Sequence, residues 1–145
     1  MEQEAPKAWA YAAALVVTIV CLALANYVIG YLGELANVRA GTAAAAALTF
    51  VEGVAGALLA GFASRLLFKS LRPADFWLKW IVILFSVLFA VLVVWLLVTG
   101  KSGRGLNWTT YAGIAALIGT EVGRRIAKAL LGRPRPDELA APLTD

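Results

Sequence analysis

The sequence predicts an all-α, polytopic membrane protein, a four-transmembrane-helix bundle, on two observations. The 145 residues are 61% hydrophobic and 15% charged, with mean hydropathy +0.80, whereas a soluble domain is about 45–50% apolar and about 25% charged. The excess falls in four blocks, each near the ~20 residues that cross ~30 Å of hydrocarbon. Short charged or Gly/Pro-containing segments separate them, which makes 1–145 a single membrane domain without room for a soluble module.

The start, MEQEAPK, carries Glu2 and Glu4 where a secretory leader would be basic, and the apolar run 8–32 is too long for a leader core. It reads as a retained first helix, with Trp9 and Tyr11 at one interface and Tyr27 and Tyr31 at the other. The turn GELANVRA at 33–40 is short, so the first two helices should form an antiparallel hairpin.

The second helix, 41–69, holds Glu52 near its centre and is crowded with Ala and Gly. One stripe at three-and-four spacing is Thr42, Ala45, Thr49, Glu52, Gly56, Ala60 and Ala63. The neighbouring stripe is Ala46, Gly53, Ala57, Gly61 and Ser64. Small residues let helix backbones approach closely, so Glu52 is expected to face protein rather than lipid.

In the connector SLRPADF, 70–76, Pro73 is expected to end one helix and Asp75 to cap the next. The third helix, 77–99, is bulky and apolar all round, with Trp77, Trp80 and Trp95 marking its interfaces; it should lie at the periphery against lipid. After the outer turn GKSGRGL, the fourth helix covers 107–132 and repeats the small-residue pattern in Thr109, Gly113, Ala116, Thr120, Gly123 and Ala127. Helices two and four are therefore expected to pack most closely, through Gly53, Gly56 and Ala60 on one side and Gly113, Ala116 and Gly123 on the other. A flexible tail with Pro and basic residues, 133–145, follows.

Charge sets the orientation. With the N-terminus inside, ten Lys and Arg fall inside and only Arg39, Lys101 and Arg104 outside. That is a positive-inside asymmetry, and it places both termini in the cytoplasm of a multi-pass protein of the inner (plasma) membrane. It also accounts for the net charge of +4 without nucleic acid as a partner. The absence of His and the single Cys21 exclude His-ligated haem, common zinc sites and an intrachain disulfide. No cofactor or metal is expected. No P-loop, dinucleotide fingerprint or nucleophile–base pair is present, so no enzyme is expected.

AAAAALTFVEG (43–53) and AGIAALIGTEV (112–122) align without a gap, Glu52 over Glu121. Two repeated helical hairpins would give this echo, and so would chance between Ala-rich helices.

The polar residues within the blocks carry the functional expectation. A charge at the bilayer centre costs about 2.5–3.5 kcal/mol on insertion scales, and such residues mark ion, proton or solute paths by default. Glu52, Glu121, Arg124 and Arg125, with Thr49 and Thr120 as hydroxyl partners, would form a polar seam between helices two and four. The plainer alternatives are a helix-end pair for Glu121 and Arg125 and a protonated Glu52 that sets helix register. Asn26 is expected to hydrogen-bond a neighbouring helix.

The expected function is a small transporter or channel subunit using intramembrane carboxylates. It would act as an oligomer, because helices packed through Ala and Gly leave little room inside one copy. The alternative is a non-catalytic accessory subunit of a larger membrane complex; a holin-type pore former or a lipid-linked sugar flippase ranks below both. The partners are the lipid bilayer and either further copies or other membrane subunits.

Four helices, short loops and an intramembrane Glu make the outline similar to the small multidrug-resistance transporters. Those keep their essential Glu in the first helix, and 8–32 contains no acid. The segments FASRLLFK and GRRIAKALL resemble the GtrA-type polysaccharide-associated membrane proteins, without a clear aromatic-and-Asn motif before the Arg. Both are resemblances of outline rather than of motif.

Overall fold

The computed structural model describes residues 8–39, 41–99 and 108–132. The expectations for 1–7, for the outer turn at 100–106 and for the tail at 133–145 lie outside those residues. The described residues form four helices: α1 (Ala8–Leu35), α2 (Ala43–Phe68), α3 (Arg72–Val98) and α4 (Trp108–Leu131). All-helical architecture is confirmed, and α1, α2 and α3 are each long and apolar enough to cross a membrane. The fourth helix falls short of that standard, because every 18-residue stretch of it contains Glu121, Arg124 and Arg125.

The α1–α2 turn is made by local chemistry. Asn37 takes the left-handed conformation, φ 54°, while its N–H reaches the Glu34 carbonyl and the Val38 N–H reaches the Gly33 carbonyl. That pair of bonds closes the last turn of a helix and satisfies its free carbonyls. Thr42 then caps α2: its hydroxyl accepts from the Ala45 N–H at 3.3 Å and donates to the Arg39 carbonyl at 2.7 Å.

At the far end, α2 stops on Lys69, also left-handed at φ 53°. The buried Ser64 hydroxyl crosses this turn to the Ser70 carbonyl at 2.8 Å. Here the sequence reading needs correction. Pro73 does not end a helix; it sits in the first turn of α3, where its missing N–H costs nothing and its fixed φ suits helix entry. α3 consequently starts at Arg72 rather than near Trp77, and Asp75 lies inside the first turn with no capping bond.

α2 is the central helix. Its most extensive contact is with α4 and its next with α1. Against α4 the approach is backbone to backbone: a Cβ on Gly53 would strike the Ala116 carbonyl, one on Gly119 the Phe50 carbonyl, and one on Gly123 the Val54 carbonyl at 2.5 Å. Partner positions rise together along both helices, so α2 and α4 run parallel. The two expected to pack most closely do so.

Against α1, Gly56 faces Leu22 and Ala25. Ala57, Ala60 and Leu78 make a small buried core, with Cys21 and Leu22 packed on it. α3 joins mainly through its first turns, where Pro73, Ala74 and Leu78 are buried and the Trp77 indole N–H donates to the Tyr11 carbonyl at 2.6 Å. Beyond that it presents Ile83, Leu84, Phe85, Val87, Leu88, Val91 and Val94 outward, the lipid-type exterior its composition predicts.

The start of α1, the end of α2, the start of α3 and the end of α4 share one end of the molecule. Ring contacts of Trp9 with Phe68 and of Tyr11 with Phe76 tie it together. Seven of the eight described Lys and Arg belong to that end, Arg39 alone to the other.

Candidate functional site

The polar residues do not assemble into one seam. The structure separates them into two centres and leaves the threonines as helix-packing groups.

The first centre lies between α1 and α2. The Asn26 side-chain amide donates to Glu52 Oε2 at 2.9 Å, and Gly30 leaves room for the other oxygen, with its Cβ position 4.0 Å from Glu52 Oε1. Each residue is nine positions inside the same end of its helix, about 14 Å along the axis at 1.5 Å per residue. Asn26 is exposed and Glu52 half-buried, so the pair opens on the outer flank of the α1–α2 hairpin. Among the described residues no cation reaches Glu52. The expectation that Asn26 hydrogen-bonds a neighbouring helix holds, with Glu52 as its partner.

Why Glu52 turns to α1 follows from its neighbour in sequence. Successive helical residues differ by about 100°, and Gly53 is the position that admits the α4 backbone. With Gly53 facing α4, Glu52 rotates toward α1 together with Leu48 and Gly56, which meet Gly33 and Leu22 respectively.

The second centre joins α3 to α4. Arg124 binds Glu121 through two nitrogens at 2.8 and 2.9 Å and reaches Asp75 through its third. Arg125 adds a bond from Nε to Glu121 at 2.8 Å. The Arg124 and Glu121 side chains are 15% and 28% exposed, Arg125 76%. Two carboxylates and two guanidiniums make this cluster electrically neutral, and Arg124 has all three nitrogens engaged. It is a clasp between helices, closed at Arg124 and open to its surroundings at Arg125. Asp75 is the member the sequence reading missed as an ion partner, because a carboxylate three residues into a helix looks like a terminal charge and its cation lies 49 residues away.

The hydroxyls are packing elements. Thr49 Oγ1 lies 2.9 Å from the Ala46 carbonyl and 3.1 Å from the Ala112 carbonyl, which ties α2 to α4. Thr120 donates back to Ala116 of its own helix at 2.9 Å. Of the small residues picked for packing, Gly53, Ala116 and Gly123 lie in the α2–α4 contact, Gly56 faces α1 and Ala60 is fully buried. Gly113 is exposed, with only Phe89 nearby at 3.7 Å.

Among the described residues no group of three or more Cys, Asp and Glu side chains could hold a metal ion. No family model, curated protein or solved structure matches the chain. The class that the fold defines is a helical protein with three helices long and apolar enough to cross a membrane.

Proposed function

We propose that this chain is a four-span protein of the inner membrane, termini cytoplasmic, that binds and passes a proton or small cation at Glu52 as part of an oligomer. The observation that carries the reading is the contrast between the two acids. Glu121 is neutralised by two arginines, while among the described residues Glu52 has a neutral amide as its one side-chain partner. A carboxylate in hydrocarbon without a counter-charge must take up a proton or a cation. Water or a cation arriving at the α1–α2 flank would let it release or exchange that charge.

Counting α4 as a fourth span is supported by where its charges sit. Glu121, Arg124, Arg125 and Lys128 all lie in its last half, at the basic end, and arginines near a span end reach the headgroups. A cysteine at Ala36 should react with a membrane-impermeant maleimide from the periplasmic side of intact cells, and one at Ser70 only after lysis. Labelling of Ser70→Cys in intact cells would reverse the topology.

Glu52→Gln keeps the hydrogen bond to Asn26 and removes the titrating group. In proteoliposomes the wild-type chain should dissipate an imposed pH or cation gradient, and E52Q should slow this by about ten-fold or more. Equal flux in both would end the transport reading.

A second reading is favoured by one observation. The α2 and α4 backbones are in close contact where Phe50, Gly53 and Val54 meet Ala116, Gly119 and Gly123, which leaves no room for a path between them there. A non-catalytic subunit that offers Asn26 and Glu52 to another membrane protein would then be the outcome, shown by co-purification in fixed ratio under gentle extraction.

A further inference from the structure

The polar pair on the α1–α2 flank has unused hydrogen-bonding capacity, and that capacity has a particular symmetry. Asn26 spends one N–H on Glu52 Oε2. Its second N–H, its carbonyl oxygen and Glu52 Oε1 have no partner among the described residues. Acyl chains supply none, and an unsatisfied polar group in hydrocarbon is costly. We infer that this flank is the contact between two copies of the chain, related by a two-fold axis along the membrane normal, with Asn26 and Glu52 at its centre. The inference rests on the four-span reading above and names the partner of the Glu52 site.

One reciprocal pair of bonds is open to this flank. The free N–H of Asn26 in one copy meets Glu52 Oε1 in the other, and the reverse bond forms at the same time, which is the reciprocity a two-fold contact requires. Depth fits as well. The two side chains are 2.9 Å apart, so they share one level in the bilayer. Copies inserted with the same charge orientation therefore bring pair to pair under an axis along the normal. Steric access is provided by Ala23, exposed, and Gly30, half-buried, about one turn to either side of Asn26 on α1.

The test uses the full chain in native membranes. Cys21→Ala removes the native thiol, and Ala23→Cys places one beside the proposed axis. Mild oxidation is expected to convert most of this variant to a covalent dimer. Val91→Cys, exposed on α3, should give little. Adding Asn26→Leu should reduce the Ala23→Cys dimer by about five-fold. Wild-type chain in nanodiscs, weighed by light scattering, should contain two copies. The inference is overturned by a monomer in nanodiscs, by Ala23→Cys cross-linking no better than Val91→Cys, by indifference to Asn26→Leu, or by a different protein captured at Ala23. Glu52→Gln spends its one oxygen on Asn26 of its own copy and turns an NH2 toward the partner's N–H, so the Ala23→Cys dimer should fall with it as well. Dimers without acid-dependent flux would defeat the transport reading alone, and acid-dependent flux from a monomer would defeat this inference alone.

Discussion

Replacing Gly119 by Ala is expected to weaken the folded protein, although the same change usually strengthens a helix. Ala gains about 1 kcal/mol over Gly in a helix interior. At Gly119 the added Cβ would fall on the Phe50 carbonyl, with Phe50 C at 2.9 Å and Cα at 3.1 Å. The obstacle is backbone, which has no rotamer to escape into, so α2 and α4 must separate. Overpacking costs about 1–3 kcal/mol, and loss of the neighbouring fits at Gly53 and Gly123 adds to it. The sign should therefore be destabilising, and Gly119→Leu should leave little folded protein. Gly113→Ala is the matched control on the same helix: its nearest neighbour is Phe89 at 3.7 Å, and it should be neutral or stabilising. Thermal unfolding in detergent, followed by circular dichroism, decides it. A Gly119→Ala melting point at or above that of wild type would mean that the α2–α4 contact is looser than described.

Removing Arg124 should have the next largest effect. Arg124→Ala strips Asp75 and Glu121 of their shared cation and leaves Glu121 with Arg125 alone. Breaking a buried pair costs about 3–5 kcal/mol, and partial exposure of these side chains brings the expectation down to about 2–3 kcal/mol. Arg125→Ala, on a side chain 76% exposed, should stay within about 0.5 kcal/mol. The double variant Asp75→Asn with Arg124→Gln removes charge of both signs and should recover over half of the loss. If Arg124→Ala and Arg125→Ala proved equally mild, the clasp would be no more than surface pairing.

The helices were legible because hydropathy is a local property of the chain. Four apolar blocks give four helices, with ends within a few residues of expectation except at α3. There Pro73 was taken as a stop; a proline can stop one helix or start the next, and only the placement of α3 distinguishes them. The small residues of α2 and α4 announced their contact, since Gly and Ala let helix backbones approach closely. The partners of the charges were not legible. Periodicity identifies which residues share a face, but not which neighbour that face meets, and α2 has neighbours on two sides. A rotation of one residue about its axis decides whether Glu52 meets α4 or α1.

By itself, the sequence determined that the chain is helical and that positive charge gathers at one end, and of the four spans it predicted, three helices are long and apolar enough to cross a membrane. Each of these is a sum over local preferences for lipid or water. Tertiary structure alone decided that Glu52 pairs with Asn26 while Arg124 holds Asp75 and Glu121. The close fit of glycines to carbonyls sets the rotation of α2 against α4, and that rotation turns one acid to the outer flank, while the placing of α3 beside α4 brings Asp75 to the arginine that holds the other.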